Sequence, residues 1–388
     1  MKTAGIVAEF NPFHNGHKYL VGQVRENGAS HIAAVMGGSF LQRGNCAVLG
    51  KYDRARAAVL GGVDLVLELP EVYACASAER FAKGGIGVLE SCGCIDTICC
   101  GAEYMDPSVY DRALELLNGA SVGEFLSKGY SYPRAVQAAV EKYGDSELSA
   151  LLRSPNDVLA LEYLRAGEGK FSFLRVQRTA PHDSDKAEDG RFASASLIRK
   201  MMIGGDDGYR KYIPETTAQI IDKAVGDGRC PARFENNERG VLTALRRLTV
   251  GEIENLPDVS EGLENRIYKA IRSNDTLDGI IMDIKCKRYT YARISRILAC
   301  AYLGIQKGEP APQYIRVLAF NDRGAQILKK MKETAKLPVV MNAKMINSLG
   351  GAASEMIDTD IRAQDLWGLC TPVIQPCGED HYTGALKI

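Results

Sequence analysis

The chain has 388 residues, enough at about 150 residues per domain for two to three domains and a sizeable core. Apolar residues make up 46% and charged residues 25%, which excludes a disordered, collagenous or disulfide-scaffold chain. Lys plus Arg and Asp plus Glu each number 48, and zero formal charge taken alone argues against a polyanionic partner.

In chain order, Thr3 to Glu9 reads as an apolar strand, followed by a polar loop and a helix from about Gly16 to Asn27. His31 to Met36 reads as a strand, Lys51 to Leu60 as an alanine-rich helix, Val63 to Leu69 as a strand, and Ala76 to Leu89 as a helix. Ile95 to Cys100 supplies a fourth strand. Strands apolar throughout, alternating with helices, predict a parallel sheet covered on both faces. Such sheets bind ligands beyond the carboxyl ends of their strands, in the loops after Glu9, Met36, Leu69 and Cys100. After Gly204 to Gly208 the pattern turns helical, with Ser260 as the expected N-cap of a helix carrying Leu263, Ile267, Ala270 and Ile271. Residues 320–345 resist assignment. The expected architecture is α/β: a Rossmann-like parallel-sheet domain over 1–210, then a mainly helical domain over 211–388.

The beginning, MKTAGIVAEF, does not read as a signal peptide because Glu9 interrupts its apolar stretch, and no apolar run of about 18 residues predicts a membrane span. The expected location is the cytoplasm. The eleven cysteines are odd in number and contain no C-x-x-C, which argues against a disulfide framework or a zinc site. The cluster Cys92, Cys94, Cys99 and Cys100 admits a metal site as one reading, and as the other small apolar residues in and beside a buried strand.

Charge is uneven along the chain. Residues 1–210 carry 23 basic and 26 acidic side chains, residues 211–388 carry 25 and 22, and 285–336 alone carry twelve basic against three acidic. A solvated face with no partner is one reading of that stretch. The other comes from a helix over Tyr289 to Ile305, whose apolar stripe of Ile294, Ile297, Leu298, Ala301 and Ile305 leaves Arg293 and Arg296 together off the stripe. With Lys285, Lys287 and Arg288 upstream, and Tyr289 and Tyr291 for stacking, the segment suits an RNA backbone.

The loop after the first strand reads Asn11-Pro12-Phe13-His14-Asn15-Gly16-His17, an H-x-G-H at the expected ligand end of the sheet. Pro12 fixes its own φ, and Gly16 lets an anion approach the backbone at a helix N-terminus, where the dipole favours it. His14 and His17 can donate to phosphate oxygens as charge shifts during displacement at an α-phosphate. Two capping or core histidines near a turn are the plainer alternative.

H-x-G-H resembles the nucleotidylyltransferase superfamily, and Ser194-Ala195-Ser196-Leu197-Ile198-Arg199 resembles its later S-x-S/T-x-x-R motif. Over nearly the full length the chain resembles the bacterial tRNA(Met) cytidine acetate ligase family, through EFNPFHNGH, SFLQRGNCAV, VDLVLELP, SPNDVLALEY, SEGLENRI, RYTYARISRIL and IRAQDLW. Gly37, Asn45-Cys46 and Gly101-Ala102-Glu103 depart from the family's Ser, Glu-Pro and Gly-Ser-Glu. The resemblance implies a ligase that activates acetate with ATP as acetyl-adenylate and acetylates N4 of the wobble cytidine (position 34) of elongator tRNA(Met), with Mg²⁺ accompanying ATP. It implies ATP contacts at Val7-Ala8-Glu9-Phe10-Asn11-Pro12-Phe13-His14-Asn15-Gly16-His17-Lys18-Tyr19-Leu20, Gly101, Asn156, Arg178, Ser194, Ser196 and Arg199. Gln42 and Arg43 are candidates for a contact to ATP, acetate or the base, or a plain surface pair; His182 could assist proton transfer or be an idle loop residue. Two other classes fit parts of the pattern: a metabolite adenylyltransferase of the phosphopantetheine or nicotinamide mononucleotide type, and a noncatalytic tRNA-binding protein. No protein partner is readable from the sequence, and no protein-bound metal is expected.

Overall fold

The computed structural model describes residues 1–388 apart from 129, 131, 144–145, 179–189, 261, 287 and 309, so His182 and Lys287 lie outside the described residues. Strands β1 (Thr3–Ala8), β2 (His31–Gly37) and β3 (Leu65–Leu69) are linked by helices α1 (Asn15–Glu26) and α2 (Lys51–Leu60). Helices α3 (Glu71–Ala74) and α4 (Ala78–Ser91) lead to β4 (Thr97–Ala102). Four helices, α5 (Pro107–Asn118), α6 (Ala120–Ser127), α7 (Tyr132–Tyr143) and α8 (Ser146–Leu151), come before α9 (Pro155–Ala166), β5 (Ser172–Gln177) and α10 (Ala195–Ile203). The helical part comprises α11 (Glu215–Gly226), α12 (Glu238–Arg246), α13 (Val250–Glu254), α14 (Leu263–Ser273), α15 (Leu277–Ile284) and α16 (Tyr291–Leu303). The chain then returns through β6 (Ile315–Phe320), α17 (Asp322–Thr334), β7 (Val339–Val340), α18 (Ala343–Ile346), α19 (Ala352–Gly368), α20 (Glu379–Tyr382) and β8 (Leu386–Lys387).

The sheet runs β5-β4-β1-β2-β3-β6-β7, with β8 also paired to β6. The pairs from β5 to β3 are parallel, as the all-apolar runs of β1 to β4 predict for those four. Alternate residues serve opposite faces. Val7, Val35, Leu65 and Leu67 join Ile86 and Leu89 of α4 and Leu161 of α9, whereas Ile6, Ala34, Met36 and Val66 join Val21 and Val24 of α1 and Ala55 of α2. From β1 the chain builds β2 and β3 on one side and β4 and β5 on the other, so a crevice opens at the switch between β1 and β4.

Two expectations are corrected. The sheet does not end within 1–210: β6, β7 and β8 from the carboxyl-terminal region extend it, β6 running antiparallel to β3. The helical part packs on the rest of the chain, where Phe40, Cys46 and Cys75 share one apolar cluster with Ile294, Ile297 and Trp367. In the sheet, β6 holds Arg316, only 3% exposed, which pairs with Glu68 at 3.2 Å and Asp380 at 2.9 Å beside the buried Lys51. A buried unpaired charge costs several kcal/mol, so this strand is possible only because acids distant in sequence meet it. Finally, Gly262 (φ 81°), not Ser260, precedes α14, and the Ser260 hydroxyl instead accepts from Arg293.

The basic stretch divides in space. Lys285 and Arg288 are exposed just before α16, whereas Arg323, Lys329, Lys330 and Lys332 lie on α17. The N-cap of α17, Asn321, bonds Asp64 at the start of β3, the end of the sheet away from the crevice. Cys99 and Cys100 pack in β4, where burial pushes both thiols up to about 12.

Candidate active site

At the carboxyl end of β1 the chain turns through Phe10, whose φ of 46° is in a region costly for a large side chain, and through a cis Asn11–Pro12 bond. Phe10 and Phe13 are buried against each other, ring centroids 5.2 Å apart. The turn is tied down from three directions. Asn11 Oδ1 accepts from Val48 N (2.9 Å), Arg199 Nη1 donates to Asn11 O (2.9 Å), and Asn15 Nδ2 donates to Arg191 O and Lys211 O (3.1 Å each).

His14 is the N-cap of α1, its extended backbone (φ −129°, ψ 175°) typical of that position. Its Nδ1 accepts from Gly16 N at 3.1 Å, and His17 Nδ1 accepts from His14 N at 3.3 Å, a reciprocal cap made of two imidazoles. The rings stack with centroids 3.7 Å apart. Since each Nδ1 accepts, the proton of each neutral ring sits on Nε2, which is left as a donor. Burial, reinforced by Arg178 and Arg199, lowers the His14 pKa to about 3. Burial, then His14 and Arg178, also holds His17 well below its usual range. At neutral pH the pair is uncharged and offers two N–H groups. Gly16 also has a role beyond open backbone: a Cβ there would stand 2.9 Å from Cε1 and 3.0 Å from Nδ1 of His14, so the glycine seats the capping ring.

Val7, Ala8, Glu9, Phe10, Asn11, His14, His17 and Leu20 line the crevice together with Gly101, Asn156, Arg178, Ser194, Ser196 and Arg199. Pro12, Phe13, Asn15, Gly16, Lys18 and Tyr19 are not in its walls: Phe13 is fully buried, and Tyr19 packs edge-on to Phe192 at 6.0 Å. The carbons of the Arg178 side chain lie over Gly101, where a Cβ would be 3.3 Å from Cγ. Arg178 Nε is buried and has no hydrogen-bond partner among the described residues. Ser194 caps α10 by accepting from Leu197 N at 3.1 Å, and its hydroxyl lies 3.0 Å from that of Ser196. The N-termini of α1, α9 and α10, two neutral imidazoles and the arginines Arg43, Arg178 and Arg199 therefore border one crevice, an arrangement for a polyphosphate. Asn156, in the first turn of α9, donates to Glu103 Oε1 at 3.3 Å.

Gln42 and Arg43 also line the crevice, and so do Phe81, Cys100, Leu159 and Tyr163, which the sequence reading did not single out. Those four come from α4, β4 and α9, and their pattern is that of any core residue. Another unanticipated group is Arg54, fully buried, which donates to Glu9 O (2.8 Å), Gly37 O (2.9 Å), Leu49 O (2.9 Å) and Gly38 O. It joins the carboxyl ends of β1 and β2; burial pushes its pKa down to about 10, so it stays charged at neutral pH.

Arg293 and Arg296 do lie side by side off the buried stripe of α16, yet their guanidinium groups face protein acceptors. Arg293 donates to Asp258 O (2.8 Å) and Ser260 Oγ (3.2 Å), and Arg296 pairs with Asp258 Oδ2 (3.0 Å) and reaches Gln42 O (3.4 Å).

A profile of the family described as HIGH Nucleotidyl Transferase matches residues 1–380. A tRNA(Met) cytidine acetate ligase of Caldanaerobacter subterraneus subsp. tengcongensis is 36% identical over 95% of each chain, and one of Acetivibrio thermocellus is 32% identical over 98% of each. Two solved structures of Thermotoga maritima TmcAL, one bound with alpha-thio ATP and one apo, superpose with TM-scores of 0.90 and 0.93 at 32% identity, covering 100% of both chains. With an H-x-G-H loop capping α1 in the same fold, the chain belongs to the HIGH nucleotidyl transferases and, within them, to the tRNA(Met) cytidine acetate ligase family.

Proposed function

We propose that this protein joins acetate to the wobble cytidine of elongator tRNA(Met) in two steps driven by ATP. The observation that carries the reading is the capped pair His14 and His17, neutral and donating through Nε2, in a crevice shared with Arg178, Arg199 and the N-terminus of α10. In the first step an acetate oxygen attacks the α-phosphorus and the bond to the bridging oxygen breaks, pyrophosphate leaving with the electron pair. The histidines, Arg178 and Arg199 stabilise the charge that moves onto the leaving group. In the second step the N4 lone pair attacks the acetyl carbon, AMP departs with the bond's electrons, and N4 loses a proton. Entry of the base requires unstacking, which costs a few kcal/mol. Among the described residues no three His, Cys, Asp or Glu side chains converge as a metal site; Mg²⁺ accompanying ATP would neutralise charge on the phosphates beside His14, His17, Arg178 and Arg199.

The remaining ATP contacts are the other crevice residues of β1 and its loop, with Gly101, Asn156, Ser194 and Ser196. The exposed Lys285 and Arg288 serve the tRNA backbone, with Arg293 flanking them and Lys287 in the same stretch of sequence. The described residues contain no helix long and apolar enough to cross a membrane, and a tRNA substrate supports the cytoplasm as the location.

The test is incubation with ATP, labelled acetate and elongator tRNA(Met). The expected result is label on the tRNA only when ATP is present, with pyrophosphate released. Pyrophosphate release with a phosphorylated metabolite but not with acetate would make the protein a metabolite adenylyltransferase, and tRNA binding without turnover would leave a binding protein.

A further inference from the structure

We propose that Arg296 is a positioning residue for acetate activation: it fastens the loop bearing Gln42 and Arg43 to α16, so that the helical part completes the crevice. The proposal rests on the ligase reading above. The loop is a compact turn, closed by the Phe40–Cys46 bridge and by bonds from Leu41 N to Asn45 O (3.0 Å) and from Gly44 N to Leu41 O (2.8 Å). Its tip rests directly on α16. A Cβ at Gly44, whose φ is 77°, would stand 2.3 Å from Arg296 N and 2.4 Å from Ser295 C, and the buried Ser295 hydroxyl donates to Gly44 O at 3.2 Å.

Beside that contact the backbone of Gln42 is held at both ends. Its N–H donates to Glu9 Oε1 at 2.9 Å, from the crevice side, and its carbonyl accepts from Arg296 Nη1 at 3.4 Å, from the helical side. Arg296 is in turn fixed by Asp258 Oδ2 at 3.0 Å, with only 15% of its side chain exposed. A guanidinium so placed is poorly free to meet an RNA phosphate, because doing so means leaving a carboxylate. Its consequence is felt in the crevice, where Gln42 and Arg43 stand among the walls. Polar groups that act on a developing charge lose most of their effect when displaced, about 100-fold for a misplacement of about 1 Å.

The experiment compares wild type, Arg296→Met and Arg296→Lys in acetate-dependent exchange of labelled pyrophosphate into ATP without tRNA, and in tRNA(Met) binding by filter retention. Arg296→Met should lower kcat for exchange by about 10-fold to 100-fold with KM for ATP within about threefold and tRNA affinity within about twofold. Arg296→Lys, which keeps the charge near Asp258, should recover part of the rate. Gly44→Ala, which keeps Arg296 but pushes the loop tip off α16, should reproduce the kcat loss. The proposal is overturned if Arg296→Met exchanges like wild type, or if it weakens tRNA binding while exchange is unchanged, which would make Arg296 an RNA contact. Wild type without acetate-dependent exchange would overturn the ligase reading itself, and this proposal with it.

Discussion

At the scale of single residues, His14 does two things that ordinary substitutions would confound. As an N-cap its Nδ1 satisfies Gly16 N, and its Nε2–H remains for the ligand. Asparagine caps a helix as well but cannot place that donor. His14→Asn is therefore expected to fold with a melting temperature close to wild type while losing about 100-fold to 1000-fold in acetate-dependent pyrophosphate exchange, the usual cost of a removed transition-state donor. The same variant separates the pH effect. The His14 pKa falls from 6.5 to about 3 on folding, so below 6.5 the unfolded chain takes up a proton the native one refuses. The stability contributed is complete above about pH 6.5 and declines as pH falls toward about 3. Urea midpoints of wild type should thus drop more steeply between pH 6.5 and 4 than those of His14→Asn. The histidine pair was legible in the sequence because loop residues of this type, spaced three apart at a strand's carboxyl end, have few other uses. Their tautomers and neutrality were not legible, since those depend on burial and on Arg178 and Arg199, more than 160 residues away.

At the scale of elements, the proposed site draws on the start of α1. Gly16→Ala would ordinarily favour a helix by up to about 1 kcal/mol. Here the added methyl meets the His14 ring at 2.9 Å and must displace it. The expected outcome is a thermal stability within about 1 kcal/mol of wild type and a kcat for exchange reduced by about 10-fold to 100-fold, measured on the same preparation. Strands β1 to β4 were legible to within about two residues, because a strand buried on both faces is a continuous apolar run. Strand β5 was not: it lies at the sheet edge with Ser172 and Gln177 exposed, so its sequence lacks that run. The helix over 291–303 was legible from its stripe, but where its arginines point was set by Asp258 and Gln42, which no periodicity reveals.

At the scale of the whole molecule, the return of the chain into its own sheet is held by Lys51, Glu68, Arg316 and Asp380, all nearly inaccessible to solvent. Lys51 Nζ lies 2.8 Å from both Glu68 and Asp380. Removing one carboxylate takes a direct partner from both buried cations, and breaking a buried pair costs about 3–5 kcal/mol. Asp380→Asn should therefore lower unfolding free energy by that order, read as a shift of the urea midpoint, although the residue does not line the crevice. The composition alone, 48 basic against 48 acidic side chains, suggested no RNA partner, and its uneven distribution along the chain reopened the question. The fold divided the basic stretch again, between the start of α16 and α17 at the opposite end of the sheet. By itself the sequence determined the alternation of apolar strands and helices, the position of the H-x-G-H loop at a strand's carboxyl end, and the family resemblance, because these are local patterns. Only the tertiary structure decided that β6 to β8 complete the sheet, that the histidines are neutral, and that Arg296 braces the Gln42 loop. Each of those depends on charges and surfaces brought together from distant parts of the chain.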